Sequence, residues 1–285
     1  MSKPDFIVIG AMKCGTTTLA AQLGAQDGLF MTTPKEPNYF SDDRVFLRGP
    51  NWYAGLFAGA APDDLKGEAS THYTKRPDYP RTLERMQKEV PQAKLVYMIR
   101  NPLARLVSHY IHEWSEGQFD SALDAVHLER HPALVDYGRF GWQIAPYIEA
   151  YGREAILLTS LERLKRDEAG ELARVAAHLG HDGPVTWQAD LERENASAER
   201  VRKLPMHKLL IDHPLSARIR RTLVPKYFRQ RVREARKMKQ RPGLSAEMRA
   251  MLEARFLEDR ALLARYFPND PSLDLAYPFA KITAT

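Results

Sequence analysis

Three short apolar runs alternate with helical patterns along the chain of 285 residues, and this order restricts the fold more than any other feature. The runs, whose apolar and β-branched residues are typical of buried strands, are residues 6–9, 94–99 and 156–159. Helical patterns follow them near Thr16, after Pro102 and near Glu168. Strands that alternate with helices form a parallel sheet with helices on both faces. The sequence therefore predicts a single α/β domain over residues 1–285, with ligands bound beyond the carboxyl ends of the strands.

Composition indicates an anionic partner without choosing one. The net charge is +6, which suits phosphate, nucleic acid, an acidic glycan or a membrane surface. Cys14 is the single cysteine, so the chain has no intramolecular disulfide and no cysteine metal cluster, and a reducing compartment is favoured. The apolar run at residues 6–9 is too short for a signal peptide or a membrane span. We therefore expect a cytoplasmic protein.

A basic segment occupies about residues 200–243. From residue 202 to residue 241 it has fourteen Lys or Arg residues against two acids, Asp212 and Glu234. Three interpretations stay open: a solvated helical face, a guide for an anionic acceptor such as an acidic glycan, or a peripheral contact with an anionic membrane through the interspersed apolar residues.

A glycine-bounded turn separates the first predicted strand from the first helix. It reads Gly10-Ala-Met-Lys13-Cys-Gly15-Thr16-Thr17. Backbone N–H groups of such a turn and the helix N-terminus together bind anions. The glycine spacing and Thr17 match the nucleoside-triphosphate P-loop, but Thr16 stands at the position of its lysine, and Lys13 lies three residues earlier. An ATP enzyme needs that lysine on the β- and γ-phosphates, so the displacement favours an anion with one bridging oxygen to stabilise.

A second polar motif follows the strand at residues 94–99. Arg100 lies at the strand end, Pro102 suits the first turn of the next helix, and Ser108 lies about two turns along it. The planar guanidinium group of Arg100 is suited to phosphate oxygens. An isolated arginine here would favour a surface strand cap, but its pairing with the first motif favours a second anion site.

Together the two motifs resemble the PAPS-dependent sulfotransferase family, most closely its Golgi heparan-sulfate branch and bacterial relatives, and the likeness covers nearly the whole chain. In that family the first motif binds the 5′-phosphosulfate and the second binds the 3′-phosphate of 3′-phosphoadenosine 5′-phosphosulfate (PAPS). The resemblance implies a P-loop nucleotide-kinase-like fold. It also implies that PAPS is bound by Lys13, Gly15, Thr16, Thr17, Thr18, Arg100 and Ser108.

Two further segments resemble the acceptor side of the family. Residues 35–40 resemble its Glu-Pro-x-Phe-Phe segment, whose glutamate is the catalytic base, which implies that role for Glu36. Residues 67–73 resemble its Glu-Lys-[ST]-Pro-x-Tyr segment. That segment contains His72, the competing base, because an unperturbed histidine pKa suits proton transfer near neutrality.

Two departures from the family concern cations. Ala69 replaces a lysine of the heparan-sulfate branch, so that cation is missing or is supplied elsewhere, with Lys66 as one candidate. Residues 237–242 resemble a Lys-Gly-Arg loop that closes over the nucleotide, which makes Lys237 and Lys239 further PAPS-binding candidates, although Met238 replaces the glycine.

The resemblance implies sulfuryl transfer from PAPS to a hydroxyl or amine of a carbohydrate, lipid or small natural product. Lys13 would stabilise the leaving phosphate oxygen as Mg²⁺ does in kinases, so we expect no metal requirement. Two alternatives stay open: a P-loop kinase that uses ATP, and a non-catalytic anion- or nucleic-acid-binding module. A recognisable nucleic-acid motif is absent, so the expected partners are PAPS and an acceptor rather than nucleic acid. The oligomeric state is not indicated.

Overall fold

A parallel sheet of five strands is the centre of the computed structural model, which describes residues 2–119, 121–191, 238 and 240–281. The strands are β1 (Phe6–Gly10), β2 (Leu29–Met31), β3 (Leu65–Ala69), β4 (Lys94–Ile99) and β5 (Ile156–Ser160). They lie in the order β2-β3-β1-β4-β5. Val8 of β1 pairs with Ala69 on one side and Val96 on the other. This central position explains why every residue of β1 is buried and apolar or glycine.

Helices flank this sheet. They are α1 (Thr16–Gly24), α2 (Asp43–Phe46), α3 (Pro50–Gly55), α4 (Thr82–Glu89), α5 (Pro102–Ser115), α6 (Ala133–Asp136), α7 (Phe140–Tyr151), α8 (Leu161–Arg166), α9 (Glu168–Leu179), α10 (Ala246–Tyr266) and α11 (Pro271–Ala276). Short 3₁₀ turns occupy Thr71–Thr74, Leu123–Ala125, Arg153–Ala155 and Pro278–Lys281. Helix α1 packs on β2, β3 and α9, whereas α7 packs with α4 and α10. None of the helices in the described ranges has the length and apolarity that a membrane crossing requires.

The predicted α/β fold is confirmed, and its three predicted strands are β1, β4 and β5. The helical patterns near Thr16, after Pro102 and near Glu168 are α1, α5 and α9. Two strands were not predicted: β2 has only three residues, and β3 carries the polar residues Lys66 and Glu68. Of the basic segment, only residues 238 and 240–243 are described, so the interpretations of that segment and the domain bounds 1–285 stay predictions.

Glu68 is fully buried in β3, where neighbouring hydroxyl groups satisfy its carboxylate. The hydroxyls of Tyr53 in α3 and of Tyr73 each donate to Oε1 at 2.7 Å, and Ser70 donates to Oε2 at 2.8 Å. Burial raises the pKa of Glu68, and these hydrogen bonds act in the opposite direction. Because an unpartnered buried carboxylate is strongly destabilising, the network fixes α3 and the turn Thr71–Thr74 against β3.

Gly67 provides the space in which the Phe6 ring lies. A Cβ atom at residue 67 would be 2.1 Å from that ring. We therefore expect Gly67→Ala to lower the free energy of unfolding by about 1–3 kcal/mol, the usual cost of overpacking, as measured by urea denaturation. Gly55→Ala is the matched control, because a Cβ atom there meets nothing within 4 Å. Equal destabilisation of the two variants would contradict this packing.

Candidate active site

A cavity of about 750 Å³ is lined by segments that follow β1, β3, β4 and β5, as expected for the carboxyl edge of a parallel sheet. Every predicted site residue that the structure describes lies in its lining: Lys13, Gly15, Thr16, Thr17, Thr18, Glu36, His72, Arg100 and Ser108. Three other lining residues, Met12, Thr71 and Arg241, lie within the motifs described above but were not named as site candidates. The remaining lining residues lie outside those motifs: Lys75, His112, Leu161 and Lys165. The predicted residues Lys237 and Lys239 lie outside the described residues.

The turn between β1 and α1 forms one wall of this cavity. Gly15 caps α1 with a left-handed φ of 96°, and a Cβ atom there would lie 2.8 Å from Leu161 and 3.1 Å from Met98. Glycine is therefore required on both conformational and steric grounds. Helix α1 begins at Thr16, so its first N–H groups, which have no partners within the helix, lie at the cavity together with Lys13. Backbone dipole and side-chain charge both favour an anion here.

Arg100 connects the second motif to the first. Its Nη1 donates to the carbonyl oxygen of Lys13 at 3.2 Å. The Asn101 side chain caps α5 by accepting from the N–H of Ala104 at 3.0 Å, which directs the helix and brings Ser108 to the cavity. Burial lowers the pKa of Arg100, but an arginine remains a cation at neutral pH. The two sequence motifs thus form one continuous cationic wall.

Glu36 is held at the cavity by its backbone and by its carboxylate. Its N–H donates to the carbonyl oxygen of Ala69 at 3.0 Å, and its φ of 59° lies in the left-handed region. Lys35 Nζ donates to Oε1 at 2.8 Å, and Thr71 Oγ1 donates to the same oxygen at 3.1 Å. Burial alone would raise the pKa of Glu36, but Lys35 and Thr71 bring it below its usual value. The carboxylate is therefore ionised at neutral pH and able to accept a proton.

His72 lies in the turn Thr71–Thr74 and faces the same cavity. Its ring stacks on Tyr79 with the centroids 4.6 Å apart. Burial, followed by the charge of Lys75, lowers the pKa of His72 to about 4, so the ring is neutral at neutral pH. Both candidate bases are thus unprotonated, and geometry alone does not choose between them.

Lys75 is a site residue that sequence reasoning missed. Only 8% of its surface is exposed, and it lines the cavity with Glu36. Burial lowers its pKa from 10.5 to about 8, and the carboxylates of Glu36, Glu113 and Asp78 limit the fall. No spacing in the sequence marks Lys75, because its importance comes from where the turn after β3 ends.

Lys66 does not replace the lysine that the heparan-sulfate branch has at the position of Ala69. It lies near the start of β3, where its Nζ donates to the carbonyl oxygen of Asp64 at 3.3 Å, and it is not in the cavity lining. Cys14 is buried, and burial raises the pKa of its thiol to about 12, so the side chain is a neutral packing group. In the described ranges, no group of three or more His, Cys, Asp or Glu residues could hold a metal ion.

Comparison with known proteins gives one family match and several relatives. The family model described as a sulfotransferase domain matches residues 3–251. Heparan sulfate glucosamine 3-O-sulfotransferase 6 of Mus musculus is 27% identical over 199 residues, which are 64% of this chain and 54% of that protein. Heparan sulfate glucosamine 3-O-sulfotransferase 3B1 of Homo sapiens is 29% identical over 185 residues, 62% of this chain and 46% of that protein. The chain spans about half the length of these curated relatives.

Solved structures share the fold. A sulfotransferase from Alicyclobacillus acidocaldarius matches with a TM-score of 0.66 and 23% identity, covering 95% of this chain and 98% of that one. The mouse sulfotransferase SULT7A1, solved in complex with PAP, matches with a TM-score of 0.50 and 15% identity, covering 98% of this chain and 90% of that one. At these identities the likeness concerns the fold alone.

The pKa of Lys75 depends on the charge of Glu36. We expect NMR titration of the lysine side chain to give a pKa near 8 in the wild-type protein and a lower value in Glu36→Gln, because a carboxylate that raises it is gone. Glu84→Gln, which removes an exposed carboxylate on α4, is the control and should leave the Lys75 titration unchanged. An ordinary value near 10.5, or the same value in Glu36→Gln, would contradict the described site.

Proposed function

The chain belongs to the sulfotransferase domain family, and on this premise we propose that it transfers a sulfuryl group from PAPS to a hydroxyl or amine group of an acceptor. The observation that carries the proposal is the meeting of two anion-binding motifs and an ionised carboxylate in one cavity. The hydrogen bond of 3.2 Å from Arg100 to the carbonyl oxygen of Lys13 joins the motifs, and Glu36 lines the same space.

The cationic wall fits a ligand with phosphate groups at two places. Lys13 and the N–H groups at residues 16–18 would bind the phosphosulfate, and Arg100 with Ser108 would bind the 3′-phosphate. PAPS supplies the sulfuryl group. Lys13 stabilises negative charge that develops at the phosphate oxygen, which is the electrostatic role of a metal ion in phosphoryl transfer. The proposal therefore includes no metal, and transfer should persist in a chelator.

Glu36 is the proposed general base. Its hydrogen bonds with Lys35 and Thr71 fix one carboxylate oxygen, and its depressed pKa keeps the group ionised. A general base that takes the proton from the hydroxyl or amine of the acceptor typically accelerates the transfer step by ~10²–10⁴-fold. His72, neutral and on the same cavity, is the alternative base.

The family match favours this reaction over the kinase and nucleic-acid alternatives. Thr16 at the position of the P-loop lysine also disfavours the kinase. Cytoplasmic location and the contacts of the basic segment at residues 200–243 stay predictions.

Nucleotide binding should discriminate the 3′-phosphate. We expect adenosine 3′,5′-bisphosphate to raise the melting temperature well above the shift given by adenosine 5′-monophosphate. A ligand at one hundred times its Kd adds about 2.7 kcal/mol of stability, which corresponds to a shift of several degrees for a domain of this size. In Arg100→Ala the two nucleotides should give nearly equal shifts in melting temperature, because the variant lacks the guanidinium group proposed to bind the 3′-phosphate. Equal shifts in the wild-type protein would exclude this pocket assignment.

The choice of base is tested by two variants that preserve size. We expect Glu36→Gln to lower kcat by ~10²-fold or more, with PAPS affinity near the wild-type value, because glutamine retains hydrogen bonding but accepts no proton. Labelled PAPS with an acceptor found by screening provides the rate, and calorimetry provides the affinity. His72→Asn is the matched variant. A large loss in His72→Asn with an active Glu36→Gln would transfer the role to His72.

A further inference from the structure

A second cavity of about 290 Å³ adjoins the first, and no role has been given to it so far. The two cavities share Met12 and Lys75 in their linings. We call the second one the side chamber and define it by Met12, Lys75, His109, Glu113, Phe119 and Tyr137. It lies between the start of the turn after β1, the second half of α5 and the segment around α6. The two cavities are therefore neighbours that meet at Met12 and Lys75.

The walls of the side chamber are rings that other contacts hold in place. His109 stacks on Tyr137 with the centroids 5.4 Å apart and an interplanar angle of 16°. Phe119 stacks on Tyr110 at 5.3 Å. The Tyr137 hydroxyl donates to Asp78, and all three wall rings are largely buried. Flat, fixed surfaces of this kind suit a planar or ring-shaped ligand.

The His109 ring is a neutral surface. Burial lowers its pKa to about 4, although Glu113 acts in the opposite direction. Its Nδ1 lies 3.4 Å from Nη1 of the fully buried Arg105, and its Nε2 lies 3.4 Å from the carboxylate of Glu113. The ring orientation is thus set from both sides, and at neutral pH it offers no positive charge to an anion.

Lys75 and Glu113 are the Lys, Arg, Asp or Glu residues of the described lining, which also includes the imidazole of His131. The hydrogen bond with His109 and the opposing effect of burial leave the pKa of Glu113 below its usual value, so it is ionised. The positive charge of Lys75 interacts with Glu36 in the main cavity and with Glu113 in the side chamber. One cation beside one carboxylate gives the chamber little net charge, which is a poor environment for a polyanion.

We propose that the side chamber is the acceptor site and that it takes the body of an uncharged, ring-bearing alcohol, with its hydroxyl group at Lys75 and facing Glu36. This inference rests on the proposed function. The acceptor oxygen would form a bond to sulfur as the bond from sulfur to the phosphate oxygen breaks. The hydroxyl proton passes to Glu36, and adenosine 3′,5′-bisphosphate leaves. A volume of about 290 Å³ is sufficient for a compact molecule of one to three rings.

Ala133 at the start of α6 permits a direct test, because it is half-buried and lines the side chamber. The probe is 2-naphthol, titrated calorimetrically into the protein with and without adenosine 3′,5′-bisphosphate. We expect the wild-type protein to bind it and Ala133→Phe to bind it about tenfold more weakly or worse, a loss of about 1.4 kcal/mol. Ala58→Phe adds the same ring at an exposed position outside the lining and should bind 2-naphthol like the wild type. Labelled PAPS should give naphthyl sulfate with the wild type and Ala58→Phe.

Two results would overturn the side chamber as the acceptor site: undiminished 2-naphthol binding by Ala133→Phe, or no 2-naphthol binding by the wild type, whether or not a heparan-derived disaccharide binds. The thermal shift with adenosine 3′,5′-bisphosphate, measured on the same samples, should be the same in all three proteins. Its retention in Ala133→Phe shows that the variant is folded. Its absence in the wild type would contradict the proposed function instead, because 2-naphthol binding is also measured without nucleotide.

Discussion

The hydrogen bonds to the buried carboxyl group of Glu68 hold in place the part of the main cavity that carries Glu36 and His72. We call this part the acceptor half, after its proposed role. Its hydroxyl partners come from α3, from Ser70 and from the turn after β3. Ser70 also accepts from the N–H of Asn38 at 3.1 Å, and the Tyr73 hydroxyl accepts from the N–H of Phe40 at 3.4 Å. The loop that carries Glu36 and the turn that carries His72 are therefore tied to one buried carboxyl group inside the sheet. A less polar residue at this position would leave the hydroxyls of Tyr53, Ser70 and Tyr73 without this acceptor.

The part of the cavity that carries Lys13 and Arg100, which we call the nucleotide half after its proposed role, is positioned differently. It is formed by the backbone at the ends of the strands. A parallel sheet brings the residues after β1 and β4 to one edge, whatever their side chains are. Gly15 then permits the close approach of Leu161, and Arg100 donates a hydrogen bond to the carbonyl oxygen of Lys13. This half is uniformly cationic, whereas the acceptor half mixes Lys35, Lys75, Glu36 and Glu113. Such a contrast would suit a donor with two anionic groups on one side and a less charged acceptor on the other.

Sequence patterns predicted the elements whose signal comes from residues that are close together in the chain. Strands β1, β4 and β5 are continuous apolar runs because both of their faces are covered, and the two anion motifs have fixed spacing around glycine and proline. Strand β3 gave no such signal, since Glu68 is buried only with the help of tyrosines from other segments. Neither Lys75 nor the side chamber could be predicted from the sequence. Residues of α5, the segment at 118–119 and α6 meet there only after folding, and none of them stands in a recognisable motif.

Met12 and Lys75 belong to both cavities, and this sharing has a thermodynamic consequence. Long, unbranched side chains lose conformational entropy when a ligand fixes them, roughly 1.5–2 kcal/mol for a fully ordered lysine or methionine. Lys75 is already buried, so Met12, which is half-buried, is the side chain that the first ligand would order for the second. Donor and acceptor would then bind with positive cooperativity even if they never touched and no backbone atom moved. A variant that stiffened Met12 would remove this entropy cost in advance, so it would raise the affinity of both ligands and lose the cooperativity between them.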